Sequence, residues 1–261
     1  MRSRTSWQIQ KSVFFALFIR ELKTRFGGYR LGILWALIEP IAHIFVLTIL
    51  FGLIREQDGF YGVPFAMFFA SGIISFFIFQ KIIQVSINSI RINLGLFSYR
   101  QVKPFDAILI RSFLELIIIF STAIFLIWFG AWFLNFNSSP SDPLKVLLII
   151  LLLFLFSLGA GFFVSVIGVL YEEASQLINI FMRPLYFVSG IFFPLEIMPK
   201  EYHIYLLWNP LLHAVEQFRA AWFSNYPAGE TSLTYILIWS LSILLIGLAY
   251  YRKNRTRVLM S

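Results

Sequence analysis

Long apolar runs, separated by short basic or proline-rich interruptions, organise this chain from end to end. A helix needs about 17–25 apolar residues to cross a hydrocarbon core. By that measure the pattern predicts six spans, over 31–54, 64–84, 105–134, 144–170, 178–193 and 233–251. The third is long enough to tilt or to project from the bilayer, and the fifth is short. The runs lack the strict alternation of barrel strands, so all six are predicted as helices. The fold class is therefore all-α: a polytopic membrane protein.

Ahead of the first span, Phe15, Phe18, Ile19, Leu22 and Phe26 recur at helical spacing, with Arg20 and Lys23 off the stripe. That pattern predicts an interfacial helix within residues 1–30, its apolar stripe in the acyl boundary. Val13 and Leu17 interrupt its polar face. The helix serves as a lipid-surface anchor alone, or also touches a cytoplasmic partner. Between the second and third spans, residues 85–104 form a short basic loop. Leu94, Phe97 and Tyr99 interleave there with Arg91, Arg100 and Lys103. Aromatic and Arg side chains are common interface anchors, so the loop reads either as a docking element or as basic ballast at a membrane surface.

Between the fifth and sixth spans, Pro194, Pro199 and Pro210 break the apolar runs into pieces too short to cross. Residues 194–213 are expected to form short re-entrant helices at the outer leaflet, where protein or a water-filled cavity covers their backbone. An outer gate built from Pro194, Trp208, Asn209 and Pro210 fits this stretch. In the fourth span Ser157, Gly161 and Ser165, four residues apart, mark one face for close helix packing.

Composition agrees: 59% of the residues are hydrophobic, 13% are charged, and 31 of 261 are Phe. Ordinary globular domains carry about 25% charged residues. Of the 21 Lys and Arg, seven lie in the first 30 residues, four between 91 and 111 and four in 252–257. On the other side stand only Arg55, Lys145, Lys200 and Arg219. The positive-inside rule then places both termini in the cytoplasm, with 31–251 as the membrane domain and 252–261 as a basic tail. The net charge of +8 is largely this topology signal, and it calls for no nucleic-acid partner. The basic N-terminal segment has no cleavage-like site before the apolar run, so it reads as retained.

Few residues offer chemistry. There is no Cys, and the three His stand apart at 43, 203 and 213, so no metal cluster is expected. Phosphate-loop, serine-elbow and His-Glu-x-x-His motifs are absent, so no catalytic residue is assigned and no cofactor is expected on this chain. Inside the first span Glu39 and Pro40 lie roughly 12 Å along the helix from residue 31, at about 1.5 Å per residue. Glu39 and His43, spaced i, i+4, share a face. They are either a proton relay or, with Glu39 satisfying donors near the Pro40 break, a structural feature. Arg183, beside Pro184 in the fifth span, either snorkels or faces a partner or cavity.

Three stretches carry a resemblance: Arg25-Phe-Gly-Gly-Tyr-Arg-Leu-Gly-Ile-Leu-Trp-Ala-Leu-Ile-Glu-Pro40; Gly95-Leu-Phe-Ser-Tyr-Arg-Gln-Val-Lys-Pro104; and Ser189-Gly-Ile-Phe-Phe-Pro194 followed by Trp208-Asn-Pro-Leu-Leu-His213. In this order they resemble the ABC-2 type membrane permeases, and within them the capsular polysaccharide exporter permeases. The resemblance implies a homodimer in a Gram-negative inner membrane, with two copies of a separate cytoplasmic ABC ATPase that holds ATP and Mg. It implies a lipid-linked, acidic polysaccharide as substrate, passed on to a periplasmic adaptor and an outer-membrane polysaccharide export protein. Arg91, Asn93, Phe97, Tyr99, Arg100 and Lys103 would then couple to the ATPase. Arg30, Trp35, Glu39, Arg183 and Tyr186 would line the substrate path, with Trp35 and Tyr186 offering aromatic faces to sugar rings. The alternatives are another polymer exporter of this type, for O-antigen or teichoic acid, a proton-coupled transporter using Glu39 and His43, or a membrane-embedded transferase.

Overall fold

A computed structural model describes residues 5–26, 32–54, 59–99, 101–133 and 139–260. Arg30 and Arg100 lie outside the described residues, as do the expected span ends at 31 and 134. The described chain runs α1 (Ser6–Phe26), α2 (Gly32–Ile54), a two-stranded hairpin β1 (Gly59–Phe60) and β2 (Val63–Pro64), α3 (Phe65–Ile87), α4 (Ser89–Ile92), α5 (Pro104–Phe133), α6 (Pro143–Leu170), α7 (Ala174–Phe187), α8 (Lys200–Leu206), α9 (Pro210–Trp222) and α10 (Leu233–Met260). The antiparallel hairpin turns at Tyr61 and Gly62, both at positive φ.

Local chemistry sets the helix starts. Asp142 caps α6 by accepting the Lys145 backbone N–H at 3.0 Å, with Pro143 directly behind it. At α5, Asp106 reaches back to accept the Lys103 backbone N–H at 3.0 Å, half of a capping box. Asn209 caps α9 by accepting the Leu211 N–H at 3.0 Å, and Pro210 follows.

The core is built on α3, whose Phe68, Phe69, Ile73, Phe76 and Ile82 are buried on every side. Against lipid there is little hydrophobic gain in burying them, so close packing and polar contacts hold the helices together. The small residues of α6 make that packing possible. A Cβ on Gly159 would sit 2.5 Å from Leu244 of α10, and one on Gly161 2.7 Å from Ser86 of α3. Ser157, Gly161 and Ser165 are all buried, as their four-residue spacing predicts.

Among the described residues five helices are long and apolar enough to cross a membrane: α2, α3, α5, α6 and α10. The fifth expected span, 178–193, is not a helix of spanning length. In its place α7 covers 14 residues, roughly 21 Å at about 1.5 Å per residue, against about 30 Å of hydrocarbon. The cause is local: after Val188 the chain turns at Gly190, whose φ of 73° a helix cannot hold.

Two features add to the sequence reading. The face of α1 that packs on the protein centres on Val13 and Leu17, which bury against Ile110 of α5, with Phe18 of the stripe partly buried beside them. Phe15 points away and is 68% exposed. Protein rather than acyl chains covers this side of α1, so the residues that spoil its polar face are its docking residues. The basic tail continues the last span as helix, α10 running to Met260 with Tyr251, Asn254 and Val258 buried.

Candidate functional site

The loop between α3 and α5 and the surface helix α1 form one polar cluster. Arg20 of α1 donates to Asn93 Oδ1 at 2.5 Å, and Asn93 Nδ2 donates to the Ser89 carbonyl at 2.7 Å. Gln10 of α1 donates to Asp106 of α5 at 2.8 Å. Arg91 reaches the Val169 carbonyl at the end of α6, 3.3 Å away. The Phe105 N–H donates to the Tyr251 hydroxyl at 3.0 Å, which brings the end of α10 to the same end of the bundle.

Exposure sorts the loop residues named from sequence. Asn93 is buried, and Phe97 packs partly buried against a cluster containing Ile90, Ile108 and Phe162. Tyr99 is 65% exposed and Leu94 38%, and Ile92, which was not singled out, is exposed at 58%. Lys103 is exposed as well. The loop therefore has an inner face that fixes it to the bundle and an outer apolar face with nothing of this chain against it among the described residues.

Toward the membrane two reciprocal ion pairs join α1 to α5. Arg25 pairs with Glu115, which is 1% exposed, and Glu21 pairs with Arg111. On each helix the two partners stand four residues apart, on one face. Lys81 of α3 pairs with Glu39 of α2 at 2.6 Å and lies over the Phe77 ring. Beside the α1–α5 pairs is a cavity of about 480 Å³ lined by Arg20, Arg25, Arg111, Glu21, Glu115 and Gln84 among others.

The described residues assigned to a substrate path, which leave out Arg30, lie on α2 and α7. Trp35 of α2 is 62% exposed. The other residues are less free than their sequence positions suggest. Glu39 is held by Lys81. His43 stacks on Tyr186 of α7, with ring centroids 5.4 Å apart, and its Nε2 lies 3.0 Å from the Tyr186 hydroxyl. The i, i+4 carboxylate and imidazole thus each have a partner on a different helix. Tyr186 also meets Phe76 and Phe192 edge-on, while Arg183 is exposed on α7.

At the opposite end Pro194 is buried and Trp208 is 76% exposed. Asn209 does double duty: while it caps α9, its Nδ2 donates to the Val188 carbonyl at 3.1 Å and to Ser189 Oγ at 3.0 Å. Behind it stands Arg219, fully buried in α9. Its guanidinium donates to the carbonyls of Gly190 (2.6 Å), Phe68 (3.2 Å) and Ile191 (3.2 Å), pairs with Glu216 at 3.0 Å, and lies 3.6 Å from the centre of the Phe68 ring. Tyr226 donates to the other Glu216 oxygen at 2.8 Å. This knot ties α9 to α3 and to the turn after α7. His213 is fixed nearby: Nε2–H donates to the Leu207 carbonyl at 2.8 Å, and Nδ1 accepts the Ser232 N–H at 2.9 Å. Burial pushes its imidazole below the ordinary value, against the pull of the Leu207 hydrogen bond.

Sequence reasoning missed Lys81, Glu115 and the Arg219 knot. Lys81 and Glu115 were visible as charges inside apolar runs, and Glu216 and Arg219 as opposite charges one turn apart. Among the described residues no group of three or more His, Asp or Glu is placed to hold a metal ion.

Comparison with known proteins covers nearly the whole chain. A family model described as ABC-2 type transporter matches residues 12–223. The polysialic acid transport protein KpsM of Escherichia coli is 40% identical over 259 residues, 99% of this chain and 100% of that protein. The capsule polysaccharide export inner-membrane protein CtrC of Neisseria meningitidis serogroup A is 30% identical, over 92% of this chain and 90% of its own. BexB of Haemophilus influenzae, also a capsule polysaccharide export inner-membrane protein, is 26% identical over 96% of this chain and 94% of its own.

Proposed function

This chain belongs to the ABC-2 type transporter family, and from that premise we propose that it is the membrane permease of an ATP-driven exporter of lipid-linked acidic capsular polysaccharide. The observation that carries the reading is end-to-end similarity to KpsM, a polysialic acid transport protein, joined by two capsule export relatives. The chain lies in a Gram-negative inner membrane with both termini in the cytoplasm. The clustering of α1, the α3–α5 loop and the end of α10 at one end of the bundle supports that orientation, because the basic residues concentrate there.

ATP and Mg are held by a separate cytoplasmic ABC ATPase, two copies of which serve a homodimer of this chain. The outward face made by Ile92, Leu94 and Tyr99, with Lys103 beside it, supplies an apolar docking surface for that partner. Asn93, Phe97 and Arg91 hold the loop to α1 and α6, so motion imposed on its outer face is carried into the bundle as a rigid element. Closure of the ATPase pair supplies the difference in binding energy that any such shift requires. The shift moves α2 and α7, whose exposed Trp35 and Arg183 face the polymer with Tyr186 behind them. A periplasmic adaptor and an outer-membrane export protein continue the route.

The test is reconstitution. The chain is co-expressed with a candidate ABC ATPase, purified as a complex and placed in inverted vesicles, and polysaccharide uptake is followed. Uptake that requires ATP and stimulates hydrolysis is the expected result. Uptake driven by a pH gradient alone, without a second protein, would overturn the reading.

A further inference from the structure

We propose that the cavity between α1, α3 and α5 binds the phosphate group of an anionic membrane phospholipid. Its volume of about 480 Å³ suits a lipid headgroup and is far too small for a polymer. Three guanidinium groups line it, from Arg20, Arg25 and Arg111, against two carboxylates, Glu21 and Glu115. Arg111 and Arg25 each take one carboxylate, and Arg20 spends its positive charge on the neutral Asn93. One positive charge is left over inside the cavity.

A second observation points to a missing oxygen. Arg111 Nε is buried, and it has no hydrogen-bond partner among the described residues. Arg111 already spends Nη2 on Glu21 and Nη1 on the Val85 carbonyl at 3.5 Å, so the one N–H left calls for a single further acceptor, and an anionic phosphate oxygen makes a stronger, charge-assisted bond to it than water does. The neighbouring Gln84 and Thr24 add neutral polar groups to the same wall.

Location decides the source of the phosphate. The cavity lies beneath a surface helix whose Trp7 and Phe15 are exposed, at the end of the spans where the basic residues gather. Basic pockets between membrane helices at such an interface are where acidic lipid headgroups bind. A soluble phosphate would gain the same contacts but nothing from the surrounding bilayer. The site would lock α1 to α5 whenever the lipid is present. It requires only that the chain lies in a bilayer, so export is not the readout.

The test uses the full chain and native mass spectrometry, with equal amounts of phosphatidylglycerol and phosphatidylcholine offered together. The wild type is expected to retain phosphatidylglycerol preferentially. Arg20→Gln should lower that retention about fivefold, the worth of one basic residue at a membrane surface, while Arg20→Lys keeps most of it. Unchanged melting of Arg20→Gln in phosphatidylcholine alone shows an intact fold. Should it melt lower, the comparison of Arg20→Lys with wild type in the two lipids carries the test. Equal loss on Arg252→Gln, an exposed basic residue of α10, would mean diffuse surface attraction and overturn the site. Retention unaffected by Arg20→Gln would overturn it as well. Stabilisation by inorganic phosphate as strong as that by phosphatidylglycerol would assign the cavity to a soluble anion instead.

Discussion

Arg25, at the last turn of the surface helix α1, closes an ion pair on Glu115, a carboxylate buried in the membrane helix α5. One turn away the charges are reversed, Glu21 of α1 facing Arg111 of α5. The two pairs together set the register of α1, since a slide by one turn would bring like charges face to face. Removing Arg25 leaves Glu115 with its nearest cation gone. The expected loss on Arg25→Ala is about 1–3 kcal/mol, the cost of an unsatisfied buried polar group, because Arg25 is itself one-third exposed. Arg111→Glu should detach α1, and the exchange Glu21→Arg with Arg111→Glu should restore it. Protease sensitivity of α1 and denaturant unfolding in detergent read both effects.

Arg219 is the buried charge whose loss should do most damage. Its guanidinium satisfies three backbone carbonyls and Glu216, so Arg219→Met strands Glu216 and frees the turn after α7. Breaking a buried pair from one side typically costs about 3–5 kcal/mol. Gly72→Ala should act through the same group, because the new Cβ would stand 2.5 Å from an Arg219 nitrogen that is already pinned. Thermal unfolding should show both variants melting well below wild type, with Glu216→Gln in the Arg219→Met background recovering part of the loss.

What was legible in the sequence and what was not divides along physical lines. Helices α3, α5, α6 and α10 were readable because apolar runs of spanning length leave a helix no alternative in lipid. The short α7 was not, because its end depends on one glycine at positive φ inside a run that is apolar on both sides. The Arg219 knot was hidden because its acceptors are backbone carbonyls 28 and 151 residues away, and backbone groups carry no sequence signal. The docking face of α1 was not legible, because a stripe of Phe and a pair of smaller residues offer two apolar sides to two apolar surroundings, lipid and protein. The well-packed protein side took Val13 and Leu17. The loop around Asn93 was recognisable as a unit, but which of its residues face outward is a property of the fold.

That division predicts different outcomes within the loop. Asn93→Ala breaks the link to Arg20 and to the Ser89 carbonyl, so it should lower stability of the isolated chain by about 1–3 kcal/mol. Tyr99→Ala and Leu94→Ala, on the exposed face, should leave melting unchanged and weaken capture of the ATPase. Melting and co-purification measured side by side separate the two classes. Loss of capture in Asn93→Ala without loss of stability would reverse the assignment of faces.

His213 makes the α9 end of the bundle sensitive to acid. Its Nδ1 accepts an N–H and its Nε2 carries the proton, so a second proton has no acceptor in the folded state. Burial keeps the folded imidazole's value below the unfolded one. Folding stability from this group is therefore present above the ordinary imidazole range, about pH 6.5, and is lost as pH falls below it, because the unfolded chain then binds the extra proton. Hydrogen exchange at residues 228–233 should accelerate between neutral pH and pH 5, after correction for the intrinsic rate. His213→Gln should flatten that response.

The pairing of Glu39 with Lys81 bears on how the permease is driven. A proton-coupled carrier would need Glu39 to load and release a proton during each cycle, so Glu39→Gln would abolish transport. In an ATP-driven permease the same substitution removes only a structural pair, in which Glu39 is about half exposed and Lys81 about one-fifth. Polar contacts between membrane helices are worth about 0.6 kcal/mol on average and about 1.7 kcal/mol at most. Export by Glu39→Gln is thus expected within a few-fold of wild type and unaffected by collapsing the pH gradient while ATP is held constant. Lys81→Met alone should be the worse variant, because it leaves a carboxylate at membrane depth without its cation. The double variant Glu39→Gln, Lys81→Met should recover most of that loss. A double-mutant cycle on unfolding free energy, run beside the export assay, measures the pair's coupling directly. Export abolished by Glu39→Gln with the fold intact would move the driving force from the partner's ATP to the proton.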